Sequence, residues 1–498
     1  MKSEIARGAA WMVLFKMVDR VVGIVSTVVL ARLLVPADFG LVAMAMSVIA
    51  LLELASAFGF DVALIQRPSP TRADFDTAWT LNLTIAVGVA ALTALLTLPT
   101  AEFYGDPRLV PVMLVLAAGW LIAGFENIGI VEFRRRMDFR SEFVFMASKR
   151  LIAFGIGLAA AIMMRSYWAL VIGMISGRAA GVVLSYVMHS FRPRLSLQSA
   201  KELVRFSSGI LAVNVLAAGL ARVPHFFVGR LYGPQALGAY TIGSEFAYMP
   251  SNELIAPINR AVFPGYARLT DDTAKLHDAF LGVVAMIVLA VLPASVGIAV
   301  IAEPLVRVLL GAQWLATVPV IQVLALAGAI AAITSNNSSA LMALGRTWLL
   351  PAILACRLAA MIAMMFLLAP RFGMIGVAYA EVAAYALSVM VGYPVLFRAM
   401  KISVGQYLAG FWRPTFASIV MGFCVLKTIE VVGTGAGSLQ TVPQLLSGVA
   451  VGVLVYALVV GVLWLASGRP QGAETFVLSR AKGLVELLRL RRQGAGKP

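Results

Sequence analysis

Arg32-Leu33-Leu34-Val35-Pro36-Ala37-Asp38-Phe39-Gly40 and Arg230-Leu231-Tyr232-Gly233-Pro234-Gln235-Ala236-Leu237-Gly238 place Arg, Leu, Pro and Gly at one common spacing. The first follows the first long apolar run of the chain, and the second follows the seventh. A second pair of echoes, Pro111-Val112-Met113-Leu114-Val115-Leu116-Ala117 and Pro319-Val320-Ile321-Gln322-Val323-Leu324-Ala325, opens the fourth and tenth runs. Both matches relate run n to run n+6. A shift by an even number of membrane spans leaves two copies facing the same way, so the repeat is parallel, about an axis along the membrane normal. The expected fold is all-α and polytopic, with two parallel six-helix lobes around a central cavity and two extra helices. Lobe boundaries fall at 1–195 and 196–400, helices 13 and 14 at 401–466, and a basic tail at 467–498.

The runs are of bilayer length. Of the 498 residues 61% are hydrophobic and 13% charged, and the mean hydropathy is +0.91. A soluble chain carries roughly 25% charged residues, and a soluble core has no room for this apolar excess. About twenty apolar residues span a bilayer as a helix. Such spans are expected near 8–30, 39–59, 77–98, 109–131, 143–164, 167–189, 206–228, 239–264, 278–301, 317–343, 348–369, 374–397, 412–432 and 442–466, about fourteen in all. Period-two strand patterning is absent, which excludes a barrel. The N-terminal run holds Lys16, Asp19 and Arg20 where a signal peptide would be purely apolar, and it reads as a retained first helix.

A net charge of +16 is scattered over short loops, as topology requires, and offers no nucleic-acid groove. With the N-terminus cytoplasmic, about 25 loop and tail cations fall on the cytoplasmic side against 7 on the other. That bias expects both termini in the cytoplasm and an even helix count. Cys356 and Cys424 sit alone in apolar spans, and His189, His225 and His277 are dispersed, so no disulfide, metal or cofactor is expected. The tail after Ser467 sets Arg480, Lys482, Arg489, Arg491 and Arg492 among apolar residues at helical spacing. It suits an amphipathic helix on anionic lipids, at about 1 kcal/mol per cation.

Ionisable residues at bilayer depth are costly and usually face a cavity or a partner. Lys16, Asp19 and Arg20 lie one helical turn or less apart in span 1, span 2 carries Glu53, and span 7 carries Asn214 and Arg222. Span 8 carries Glu245, Asn252, Glu253, Asn259 and Arg260 between Pro250, Pro257 and Pro264. Glu245, Asn252 and Asn259 recur every seven residues and share a face. The expected site is a polar cavity between the two lobes, holding both signs, whose cations are Lys16, Arg20, Arg222 and Arg260. Asp19, Glu53, Glu245 and Glu253 are its acids, candidates for ion coupling, and Asn214, Asn252 and Asn259 its neutral polar groups. Guanidinium and ammonium groups in a partly dry site suit phosphate or pyrophosphate. Ion pairs that merely hold the bundle are the alternative for any single residue. Lys149 and Arg150, near a span end, are expected to snorkel. Arg178, Arg357 and Glu381 are the remaining deep charges.

Several segments resemble bacterial polysaccharide flippases of the Wzx type, in the multidrug/oligosaccharidyl-lipid/polysaccharide exporter superfamily. They are ARLLVPADFGLVAMAMS from Ala31, FGFDVALIQRP from Phe58, RPRLSL from Arg192, VGRLYGPQALGAY from Val228, MPSNELIAPINRAVFPGYARL from Met249 and GAQW from Gly311. The resemblance runs from about residue 5 to residue 400. It implies a two-lobed inner-membrane transporter that moves an oligosaccharide on undecaprenyl pyrophosphate, with helices 1, 2, 7 and 8 lining the cavity. It also implies polysaccharide polymerase or synthase components as neighbours. One position departs: Pro224-His225 precedes FFVGR where many relatives carry an aspartate.

Alternating access is the expected mechanism, with pyrophosphate met by Arg20, Lys16 and Arg260. A multidrug exporter of the same fold is one rival, and it would need an acidic, aromatic cavity for organic cations. A membrane polymerase or glycosyltransferase is another, and it would need large external loops, whereas those near 99–108 and 302–316 are a turn or two long. No nucleotide-binding Gly-rich loop followed by Lys-Ser/Thr is present, which argues against direct ATP drive.

Overall fold

A computed structural model describes residues 2–56, 60–202, 211–269, 272–433, 441–470 and 472–475. The long helices are α1 (Lys2–Leu33), α2 (Pro36–Leu52), α3 (Arg72–Leu95), α4 (Leu109–Gly124), α5 (Phe139–Met164) and α6 (Trp168–Met188). They continue with α7 (211–232), α8 (234–267), α9 (Thr273–Val300), α10 (Val318–Ala343), α11 (Leu349–Phe372), α12 (Met374–Met400), α13 (Trp412–Val432) and α14 (Val442–Ala466). No strand occurs among the described residues. Among the described residues nine helices are long and apolar enough to cross a membrane, or ten if α4 and the turn-plus-helix after it, bent by 63°, count as one span. The expectation of an all-α polytopic membrane protein is borne out, and every expected span overlaps a helix.

The chain divides into two compact units. The first holds Met1–Thr241 with Leu309–Trp314, and the second holds Ile242–Val308 with Leu315–Pro498. Within the first unit the repeated motifs set the starts of two helices. Pro36 opens α2, where its missing N–H costs nothing, and the Asp38 carboxylate accepts the Val35 N–H at 3.1 Å. The same carboxylate accepts the Tyr167 N–H at 3.0 Å, which ties this corner to the start of α6. Gly233 breaks the run 211–267 with φ of 77°, so that Pro234 opens α8 as Pro36 opens α2.

The two motifs then meet. A Cβ on Gly40 would collide with the Pro234 carbonyl, and one on Gly238 would collide with the Pro36 carbonyl. Each glycine thus lies against the main chain of the other copy, as small residues do where membrane helices approach closely. The sequence repeat is therefore also a reciprocal contact.

The GAQW segment closes the end of α1. The Trp314 indole N–H and the Gln313 amide both donate to the Ala31 carbonyl, at 2.8 and 3.2 Å, and Arg32 Nε donates to the Leu309 carbonyl at 2.9 Å. Helix C-termini leave carbonyls without intrahelical partners, and these donors satisfy one that is buried. Trp314 is fully buried, with the Phe39 ring edge-on at 5.2 Å.

Helix α5, which supplies much of the site, starts on an N-cap. Asp138 accepts the Ser141 N–H at 3.2 Å and its hydroxyl at 2.7 Å. The hydroxyl bond is the main reason the Asp138 carboxyl titrates below the usual aspartate range. A lowered folded-state pKa contributes stability above the unfolded value, near 4, and that contribution is lost as pH falls through the folded value. Asp138→Ala is expected to cost about 1 kcal/mol, read as faster amide exchange confined to the first turn of α5, with a difference from wild type that shrinks below pH 4.

In the second unit, α8 is joined to α10 by Ser251, whose hydroxyl donates to the Gly328 carbonyl at 2.6 Å. Asn336 donates to the Tyr266 hydroxyl at 2.8 Å, within a core that includes Phe280, Tyr393 and Tyr407. The Tyr456 hydroxyl on α14 donates to the Leu289 carbonyl on α9 at 2.7 Å. The chain after α14 folds back so that Glu474 meets Arg413 at 3.1 Å, both largely buried. Residues 476–498, where the amphipathic tail is expected, lie outside the described residues.

Candidate functional site

A cavity of about 790 Å³ lies within the first unit, a volume in the range of small-molecule sites. Helix α1 contributes Phe15, Asp19, Ser26 and Leu30, and α2 contributes Phe39, Val42 and Met46. The short segment after α4 adds Glu126 and Arg134, α5 adds Glu142, Lys149 and Arg150, α6 adds Arg178, and α7 adds Arg222 and His225. The wall is mostly apolar, with most of its charges grouped in pairs.

Arg150 Nε lies 3.3 Å from Asp19, and Lys149 Nζ lies 2.6 Å from Glu126. Arg134 pairs with Glu142, and Arg178 stands 3.8 Å from Glu53. The Arg178 guanidinium also covers the Trp120 ring at 4.5 Å and donates to the Leu116 carbonyl at 3.2 Å. A guanidinium can serve a carboxylate, a ring face and a carbonyl at once, which a lysine cannot. None of the Asp19–Arg150, Lys149–Glu126 and Arg178–Glu53 pairs is sealed from the cavity, with side-chain exposures between 17% and 48%.

Of the residues expected from sequence, Asp19 and Arg222 line this cavity, and Glu53 reaches it through Arg178. Lys16 is exposed, while Arg20 and Asn214 are half-buried, and none of the three is among its lining residues. Glu245, Asn252 and Glu253 are exposed and belong to the second unit. The side chains of Asn259 and Arg260 lie outside the described residues. Lys149 and Arg150 do not snorkel: each turns inward to a carboxylate on another segment.

Sequence reasoning passed over Glu126, Lys149, Arg150 and Arg178 as site residues. One signal was available. Lys149 and Arg150 stand ten or more residues inside α5, too deep for an easy reach to the interface. Their partners were not legible, because Glu126 and Asp19 are distant in sequence. Two other deep charges settle in the second unit. Arg357 lies over the Tyr385 ring at 3.3 Å, and Glu381 accepts the Tyr248 hydroxyl at 2.7 Å. No group of three or more metal-ligating side chains occurs among the described residues.

A family described as polysaccharide biosynthesis protein matches residues 29–319, more than half of the chain. The chain belongs to this family. The resemblance read from the sequence is thereby borne out. Among similar proteins is the lipopolysaccharide biosynthesis protein WzxC of Escherichia coli (strain K12), 23% identical over 428 residues, or 84% of this chain and 86% of that protein. The succinoglycan biosynthesis transport protein ExoT of Rhizobium meliloti (strain 1021) is 25% identical over 92% of each chain. A solved structure of the lipid II flippase MurJ, in an inward closed conformation, aligns with a TM-score of 0.71 at 14% identity. It covers 92% of this chain and 100% of its own. At that identity the likeness is one of fold.

Proposed function

We propose that this chain is a flippase that moves undecaprenyl-pyrophosphate-linked oligosaccharide across the bacterial inner membrane by alternating access, with both termini cytoplasmic. The observation that carries the reading is the first-unit cavity, where Arg134, Lys149, Arg150, Arg178 and Arg222 converge in a largely apolar wall. A pyrophosphate diester is met best by such groups in a partly dry site, where charge-assisted hydrogen bonds are strongest. The polyprenyl chain stays in lipid. Similarity to a lipopolysaccharide biosynthesis protein and a succinoglycan transport protein supports a polysaccharide cargo. Glycosyltransferases and a polymerase would be its working neighbours, and the basic tail would bind anionic lipid.

The test is complementation of a flippase-null strain. Arg222→Ala combined with Lys149→Ala is expected to lower surface polysaccharide at least tenfold at normal protein abundance, with lipid-linked repeat units accumulating. Full surface polysaccharide from the double variant would sink the reading. The carboxylates of the same cavity, Asp19, Asp61, Glu126 and Glu142, favour a second reading, export of organic cations. That reading requires growth of a drug-sensitive host on ethidium, and the flippase reading expects none.

A further inference from the structure

Most of the lining cations already face a carboxylate: Arg134 faces Glu142, Lys149 faces Glu126, Arg150 faces Asp19 and Arg178 faces Glu53. Arg222 does not. Among the described residues no carboxylate stands within ion-pair distance of it, and Glu53, which lies within its electrostatic reach, is set against Arg178 at 3.8 Å. What stands beside Arg222 on this wall is an imidazole and a hydroxyl. His225 follows it by three residues in α7, which puts the two Cβ atoms about 5–6 Å apart on one helix face. The His225 ring meets the Tyr240 ring edge-on at 5.8 Å, and Thr241 is the next residue of α8.

Both side chains line the cavity, and both hold a buried polar atom, His225 Nδ1 and Thr241 Oγ1, with no hydrogen-bond partner among the described residues. An unpaired buried polar atom is costly, and two of them on one wall of a ligand cavity suit a ligand that pairs them. Their chemistry says which kind. A phosphoryl oxygen only accepts, and the guanidinium is its natural donor. An imidazole nitrogen donates or accepts according to tautomer, and a hydroxyl does either, so both are met by a group that can do the same. A sugar hydroxyl or acetamido group can. In a sugar pyrophosphate the anomeric carbon carries the phosphate and the next ring carbon carries such a group. A cation and an uncharged hydroxyl one helical turn away from each other match that order of groups.

We propose that Arg222, His225 and Thr241 form a sugar-phosphate subsite of this cavity. Arg222 meets the phosphoryl oxygen nearest the glycan, and His225 and Thr241 hydrogen-bond the ring substituent beside the anomeric carbon of the first sugar. The inference rests on the pyrophosphate reading above and adds to it a contact that selects the sugar. A site built to hydrogen-bond a ligand group rejects ligands lacking that group far more strongly than an apolar pocket rejects a missing methylene.

The test is calorimetric titration of the full chain in lipid nanodiscs with two probes, farnesyl pyrophosphate and farnesyl-pyrophosphate-linked N-acetylglucosamine. His225→Ala and Thr241→Val are each expected to weaken binding of the sugar-bearing probe at least tenfold and to change that of farnesyl pyrophosphate by less than about twofold. Arg222→Ala is expected to weaken both at least tenfold. Thr84→Val, which removes a hydroxyl already donated to the Thr80 carbonyl at 2.8 Å, should bind both as wild type does. Should His225→Ala fail to fold, His225→Phe serves instead, because it keeps a ring and loses the nitrogens. Sugar-probe affinity unchanged in the His225 and Thr241 variants overturns the inference and leaves the pyrophosphate reading standing. So does an equal loss of both probes, or a wild type that binds only farnesyl pyrophosphate. A wild type that binds neither probe overturns the pyrophosphate reading, and this inference with it.

Discussion

Gly40→Ala and Gly238→Ala are each expected to cost about 2–3 kcal/mol and to abolish export, because neither added methyl has anywhere to go. At each site the obstacle is main chain. Gly40 abuts the Pro234 carbonyl and the Gly238 nitrogen, and Gly238 abuts the Pro36 carbonyl and the Gly40 nitrogen. A flexible side chain could swing aside, whereas a helix start can yield only by moving the helix. Prolines at both helix starts stiffen the two segments further. The two substitutions break one contact, so the double variant should be little worse than either single one, a coupling that a double-mutant cycle detects. Thermal melting in detergent and surface polysaccharide in a flippase-null strain are the measurements. Additive losses would show that the glycines act separately. Gly88→Ala, where a Cβ meets nothing within 4 Å, is the control and should melt and export as wild type does.

Arg178→Met is expected to lower stability by about 2–3 kcal/mol and export by at least tenfold. The guanidinium holds α6 to Leu116 and Trp120 on α4 and stands 3.8 Å from Glu53 at the end of α2. Removing one member of a buried ion pair typically costs 3–5 kcal/mol. The lower figure applies because the pair is long and Glu53 is about one-third open to solvent. Arg178→Lys should recover little, since an ammonium cannot donate to the carbonyl, cover the indole and meet the acid together. Arg178→Met with Glu53→Gln should regain most of the lost melting temperature, because no carboxylate is then left short of its cation. Export should stay low in the double variant if Arg178 meets the substrate, and return to wild-type levels if it only holds helices together. Melting temperature and polysaccharide yield on the same preparations separate the two.

Much of the fold could be read from the chain alone. Apolar runs of bilayer length follow from the absence of water in the membrane, which forces each segment to satisfy its own backbone. Pro36 and Pro234 suit helix starts because a proline in the first turn gives up no intrahelical hydrogen bond. The segment around Gly233 was legible as a break between helices, and a positive φ stands there. The bend after α4 was not legible. Apolar character runs from Leu109 to Phe125 and resumes at Ile128, broken only by Glu126 and Asn127, and the chain turns by 63° there. Asn127 is buried there, accepts the Gly129 N–H at 2.9 Å and donates to the Phe191 carbonyl at 2.6 Å. Two adjacent polar residues in an apolar run give no hint that a partner of Asn127 lies 64 positions away.

By itself the sequence determined that this is an all-α membrane protein, that its motifs repeat in parallel, and that it belongs among polysaccharide biosynthesis proteins. Those properties are local or statistical: hydropathy, spacing and residue identity carry them. Only the tertiary structure decided which charges share a cavity. Helical periodicity tells which residues share a face of their own helix, and it says nothing of the neighbour that face will meet. Asp19 finds Arg150, and Lys149 finds Glu126, because close packing of distant helices fixes each helix's rotation about its axis. The repeat tells the same story on a smaller scale. Its spacing was visible in the chain, but the reciprocal contact of Gly40 with Pro234 and of Gly238 with Pro36 exists only once the chain has folded.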